Sequence, residues 1–330
     1  MKPYCLILLL ACTIPSVSQP TINNLVHPPT YRTGVWGALG EVKKFGSGTQ
    51  DVILLAGWGF DHSVFLDFIA RHEKAYRMWA VTFPGFGKTQ APPMPAEPEN
   101  YRDLNWTRGI LKGLEDLIVK EKIDRPVIIS LFSYSNLIAM RMALDYPEKV
   151  GKIVIVSGIA KFTANDPSYE PRSLDARCRY IEKGLAPHWF KTVTQETWNK
   201  GNFSAGTFSK DSLRGARHWE MMSSVPIHVM VRYLCEFYCT DLSLEYASLT
   251  VPVLVLIPGF TPGFLSKPEH NYAAPFFHYS WLGALPANSK IQMLTLSEAH
   301  TFMMDDQPVK FDAILNEFIS GKLQAFPPVR

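Results

Sequence analysis

Cysteine is scarce in this chain, with five in 330 residues. Cys5 and Cys12 fall in an apolar N-terminal stretch, which leaves Cys178, Cys235 and Cys239, an odd set without a CxxC pair. Neither a disulfide scaffold nor a thiolate zinc site is expected from such a set. Cys235 and Cys239 lie one helical turn apart, a spacing that suits buried free thiols on one helix face, with a local disulfide as the alternative. Histidine shows no ligand spacing either: His188, His218 and His228 are scattered and no H-x-x-x-H occurs, so neither a metal nor any other cofactor is expected.

Charge of one sign is also missing. The 33 basic and 30 acidic residues are mixed along the chain and give a net charge of +3, which provides no footprint for nucleic acid. Beyond the N-terminus no apolar run reaches the about 20 residues that a membrane-spanning helix needs. Internal repeats and low-complexity tracts are absent. What is present is a composition of 47% hydrophobic and 19% charged residues, enough to bury the core of one large domain with a smaller insertion.

Residues 1–18 combine Lys2, an apolar run from Cys5 to Ala11 and the small and polar residues that follow, the layout of a secretory signal peptide. Cleavage after Ser18 is expected, and with it a secreted or periplasmic protein. Leu9-Leu10-Ala11-Cys12 also resembles a bacterial lipobox, which would place a lipid anchor on Cys12 and leave the protein tethered to a membrane.

Further along, short apolar runs alternate with helical periodicity. Strands are expected over Val35–Phe45, Asp51–Gly57, Tyr76–Phe83, Val127–Leu131 and Gly151–Ser157, and helices over His62–His72, Tyr101–Lys120 and the stretch after Ser133 up to Pro147. This alternation predicts an α/β fold with a mostly parallel central sheet covered by helices on both faces. From residue 158 to 250 the pattern is helical and rich in aromatics, near Arg172–Gly184, Pro187–Asn199, Lys210–Ser223 and Ile227–Tyr238, as a helical cap would be. Sheet pattern resumes at Val251–Ile257 and Lys290–Leu296, and Val309–Ile319 forms a last helix. The expected division is therefore 19–157 and 251–320 for a split core, 158–250 for the cap and 321–330 for a tail. Asp61 is placed to cap the first helix, and Asp305 and Asp306 the last.

Ser133 sits at a sharp turn between strand and helix in Leu131-Phe132-Ser133-Tyr134-Ser135-Asn136, and His300 follows the last strand in a stretch ending in Asp-x-Pro. In this order the features resemble the α/β-hydrolase superfamily over roughly Val35 to Phe318. The resemblance implies a nucleophile elbow at Ser133, a general base at His300 and an oxyanion hole from the backbone N–H groups of Trp58 and Tyr134. The turn Pro84-Gly85-Phe86-Gly87 matches a scaffold loop of that family.

The match has gaps. The family's elbow carries glycines where this chain has Leu131, Ser135 and Asn136, and both usual positions of the acid are empty, at Ser157-Gly158 and at Pro258-Gly259-Phe260-Thr261. The acid is therefore unassigned; Asp166, Asp175 and Asp241 are the carboxylates the cap could bring in. The expected activity is a serine hydrolase resembling carboxylesterases, cleaving a small-molecule ester or related acyl compound with an apolar portion. The alternative is a catalytically inactive homologue that binds an apolar ligand or a partner protein. Dehalogenases and epoxide hydrolases resemble the chain less, because they carry Asp at the nucleophile position.

Overall fold

Aliphatic and β-branched runs, buried on both faces, build the sheet. The computed structural model describes residues 39–94, 100–160, 173–201, 205–242, 245–270, 273–281 and 290–323. The expected signal peptide, its lipobox alternative at Cys12, residues 35–38 of the first expected strand and the candidate acid Asp166 lie outside these residues. The strands are β1 (Glu41–Phe45), β2 (Gln50–Leu55), β3 (Tyr76–Thr82), β4 (Val127–Leu131), β5 (Lys152–Val156), β6 (Val253–Pro258) and β7 (Ile291–Leu296). They form one sheet in the order β1-β3-β2-β4-β5-β6-β7. Only β1, at the edge, runs antiparallel to its neighbour; the other pairings are parallel. Every residue of β4 and of β6 is buried, as a central parallel strand covered by helices on both faces requires.

The crossover helices are α1 (Leu66–His72), α2 (Asn105–Glu121) and α3 (Tyr134–Asp145). A 3-10 turn, His62–Phe65, leads into α1, and Asp61 caps it by accepting the Ser63 N–H at 2.8 Å. The helix expected from Tyr101 is split, because Leu104 takes a left-handed conformation with φ 53°. Its break leaves the first N–H groups of α2 to be capped from elsewhere.

Between β5 and β6 come α4 (Leu174–Tyr180), α5 (Ala186–Thr192), α6 (Gln195–Gly201), α7 (Ala205–Phe208), α8 (Ser212–Ser223) and α9 (Ile227–Tyr238), with a π-helical turn, Ile181–Leu185, joining α4 to α5. After β6 follow α10 (Pro262–Leu265) and α11 (Ala273–Tyr279), and after β7 come α12 (Met303–Asp306) and α13 (Pro308–Ile319). Among the described residues no helix is long and apolar enough to cross a membrane.

The cap helices are fastened to the sheet domain by a buried ion pair. Arg232 and Glu236 of α9 lie 2.9 Å apart, both with no exposed surface. Glu236 accepts the backbone N–H groups of Trp106 and Thr107 at 2.8 Å each and the Thr107 hydroxyl at 2.7 Å. A cap carboxylate thus fills the N-terminus of α2, where charge and helix dipole reinforce one another. The Arg232 guanidinium lies over the rings of Tyr101 at 4.8 Å and Trp106 at 5.1 Å.

Candidate functional site

Strand β4 runs into α3 through Ser133, whose backbone has φ 58° and ψ −113°. Such a conformation costs a non-glycine residue about 1–3 kcal/mol and persists only where the surroundings enforce it. Three contacts do so here. Ser135, standing where the family has glycine, donates its hydroxyl to the Leu131 carbonyl at 2.7 Å. Asn136, at the next glycine position, donates to the Ile159 carbonyl at 2.5 Å and ties the elbow to the loop after β5. The Phe132 ring wedges between Phe60 and Phe208, with centroids 6.1 Å from each. The lost glycines are thus replaced by side chains that brace the turn.

The turn after β2 comes up against the elbow. A Cβ on Gly57 would meet the Leu131 carbonyl oxygen at 2.3 Å and the Phe132 Cβ at 3.0 Å, so only glycine allows the approach. This contact puts the turn bearing the Trp58 N–H against the turn bearing the Tyr134 N–H. Among the described residues neither backbone N–H has an acceptor, nor does the Ser133 hydroxyl. The cap covers both turns: Trp58 donates its indole N–H to the Met230 carbonyl at 3.2 Å and packs edge-on against Trp198. Ser133 keeps 8% of its surface.

His300 follows β7, and its ring is held by partners that sequence reasoning did not name. Nδ1 lies 2.6 Å from the Gly206 carbonyl, and Nε2 lies 3.3 Å from the Thr261 N–H and 3.2 Å from the Thr261 hydroxyl. A carbonyl accepts and a backbone N–H donates, so these partners assign a neutral imidazole with its proton on Nδ1. The lone pair is then on Nε2, as a general base requires, but Thr261 occupies it. No hydrogen bond joins His300 to Ser133. Burial lowers the imidazole pKa, opposed by the Gly206 carbonyl and the nearby Asp306 charge.

Among the described residues no carboxylate meets the ring. Thr261 stands in the loop where the sequence comparison left the acid slot empty, and it supplies a neutral partner. Asp175 pairs with Arg102 at 2.9 Å and with Arg179, and Asp241 lies 3.8 Å from Arg177. Asp175 and Asp241 are thus engaged away from His300, while Asp166, the third candidate, lies outside the described residues. Asp306 does come close, but to the main chain: it accepts the His300 backbone N–H at 2.9 Å and the Ser209 hydroxyl at 2.6 Å. Ser209, His300 and Asp306 therefore form a clasp between α7 and the histidine loop. They are not arranged as a proton relay.

The expectation that Asp305 and Asp306 cap the last helix is corrected. Asp305 lies 3.3 Å from Arg214 and 3.7 Å from His218. The N-cap of α13 is Gln307, which makes no side-chain capping bond. Among the described residues no cluster of His, Cys, Asp or Glu could hold a metal ion.

The sequence matches the Alpha/beta hydrolase family over residues 52–313, and the chain belongs to that family. Among curated proteins it is 27% identical over 150 residues to the pimeloyl-[acyl-carrier protein] methyl ester esterase of Pectobacterium carotovorum subsp. carotovorum, covering 45% of this chain and 51% of that protein. It is 26% identical over 181 residues to the Aeromonas hydrophila protein of the same name, covering 54% of this chain and 63% of that one. The chain thus spans about half the length of the curated relatives it matches. Among solved structures, an esterase from Exiguobacterium antarcticum superposes with a TM-score of 0.60 at 17% identity, covering 84% of this chain and 94% of that one. The enol-lactonase from Burkholderia xenovorans gives 0.58 at 15% identity, with 85% and 96% covered. These likenesses establish the fold.

Proposed function

We propose that the protein is an exported serine hydrolase cleaving an ester, or a related acyl compound, with an apolar portion. The observation that carries this reading is Ser133: a strained serine at a helix N-terminus whose hydroxyl has no partner among the described residues, next to a turn whose backbone N–H has none among them either. Ser133 Oγ attacks the acyl carbon while His300 Nε2 takes its proton, and the Trp58 and Tyr134 N–H groups hold the oxyanion. His300 then returns the proton to the leaving alkoxide, and water repeats the sequence on the acyl-enzyme. His300 must first release Thr261 to do this. Export rests on the apolar N-terminal stretch and on its Cys12 alternative.

A second reading is favoured by one observation: both ring nitrogens of His300 are engaged, and no carboxylate among the described residues meets either. In that reading the protein binds an apolar ligand or a partner protein and turns nothing over. A fluorophosphonate probe separates the two. Covalent labelling confined to Ser133 and abolished in Ser133→Ala supports the hydrolase. Unchanged intact mass after long exposure of the folded wild type removes it in favour of the binder.

A further inference from the structure

A pair of thiols stands at the wall of a cavity that has no part in the chemistry above. The cavity has a volume of about 450 Å³, and Arg102, Asp175, Cys178, Cys239 and Asp241 are among its lining. Cys178 belongs to α4 and Cys239 is the residue that closes α9, so the two come from different helices. Arg177 fixes their relation. Its Nε donates to the Tyr238 carbonyl at 2.9 Å and its Nη2 to the Thr240 carbonyl at 2.7 Å. Between these anchor points the Cys178 thiol reaches the Cys239 carbonyl at 3.6 Å. Arg177 thus ties the Cys178 helix to the main chain on either side of Cys239, which keeps the two cysteines adjacent. Cys235, one turn earlier on α9, is fully buried and does not line the cavity.

We propose that Cys178 and Cys239 form a reversible disulfide when a small oxidised disulfide enters this cavity. The Cys178 thiolate attacks one sulfur of the small disulfide and releases the first small thiolate, leaving a mixed disulfide on Cys178. Cys239 then gives its proton to the first small thiolate and attacks the Cys178 sulfur, expelling the second small thiolate, which takes up from solvent the proton that Cys178 gave up on ionising. Two protein thiols are oxidised and one small disulfide is reduced to two thiols. Cys178 is the attacking member. The Cys239 thiol donates to its sulfur and, with Arg102 and Arg177 nearby, brings its pKa down to about 7 against the effect of burial. The same hydrogen bond and burial raise Cys239.

The experiment uses the reduced full chain and oxidised glutathione, followed by alkylation and peptide mapping without reductant. The expected result is a peptide pair joined through Cys178 and Cys239, with Cys235 alkylated and the link broken by reductant. Cys235→Ala should form the same link, and Cys239→Ser should stop with glutathione on Cys178. A Cys235–Cys239 link, a stable glutathione adduct on wild-type Cys178, or full alkylation of all three thiols in folded protein would each overturn the proposal.

Discussion

The ring of His300 donates through Nδ1 to the carbonyl oxygen of Gly206 over 2.6 Å. A main-chain carbonyl therefore occupies the place beside the imidazole where a hydrolase of this family keeps a carboxylate. It fixes the tautomer as a carboxylate would, but it carries only a partial charge to balance an imidazolium. Turnover at such a site is expected to be slow, since removing the aspartate of a serine protease triad costs about 10⁴-fold.

In the proposed reaction the Thr261 hydroxyl, 3.2 Å from Nε2, stands in the way of a proton transfer from Ser133. Thr261→Val removes it at nearly constant volume, and one neutral hydrogen bond is worth about 1 kcal/mol, so labelling of Ser133 by a fluorophosphonate should accelerate about fivefold. Pseudo-first-order labelling rates measure this. An unchanged or slower rate would mean that the hydroxyl does not restrain the base.

Burial lowers the His300 pKa from its ordinary value of about 6.5. In the proposed reaction the neutral imidazole is the base, and its fraction rises as pH rises through the pKa. The acid limb of Ser133 labelling is therefore expected below the free-histidine value, and a limb at or above it would contradict the assignment. Stability follows the same sign. The unfolded chain takes up this proton at a higher pH than the folded one, so the protein loses stability as pH falls below about 6.5, down to the folded pKa. His228, also lowered by burial, adds to the effect. Urea midpoints measured on either side of the ordinary imidazole pKa test it.

Gly57→Ala drives a methyl group into the Leu131 carbonyl. Overpacking of this kind costs about 1–3 kcal/mol, and here it also pushes the Trp58 turn away from the elbow. Urea unfolding should show the loss of stability, and the Ser133 labelling rate should fall with it. A variant as stable and as reactive as the wild type would show that the two turns do not depend on their close approach.

Glu236→Ala removes the carboxylate paired with the buried Arg232 and uncaps α2. The expected loss is about 3–5 kcal/mol, the usual range for breaking one side of a buried ion pair. Denaturant titration of Glu236→Ala beside Glu236→Gln separates charge from shape, the glutamine variant being expected to lose less. Equal, small losses in both would show that the pair is solvated in solution.

Most of the sheet and the elbow were legible because each is local. Val127–Leu131 is a continuous apolar run, and Ser133 follows it at a turn before a helical period, so strand, serine and helix could be read within one short window. The helix Ile227–Tyr238 was read to the residue, as its apolar face is strongly periodic. The restraints on His300 were not legible. A carbonyl at Gly206 has no residue-type signature, and α7, only four residues long, has no period to read. The split at Leu104 was missed for a related reason: the side chain that caps α2 is Glu236, far away in the sequence. Asp306 was misassigned because an acidic residue before a helix reads as a cap, whereas a partner in another element had claimed it.

The pairing of the histidine loop with the end of α7 bears on how the molecule can be taken apart. Thr301 donates to the Thr207 carbonyl at 3.1 Å and Phe302 to the Phe208 carbonyl at 2.8 Å, alongside the Ser209–Asp306 bond. The insertion over the elbow is thus no interchangeable module. Grafting a relative's insertion onto this sheet, or deleting this one to widen access, would remove part of the seat of His300 together with the roof over Ser133.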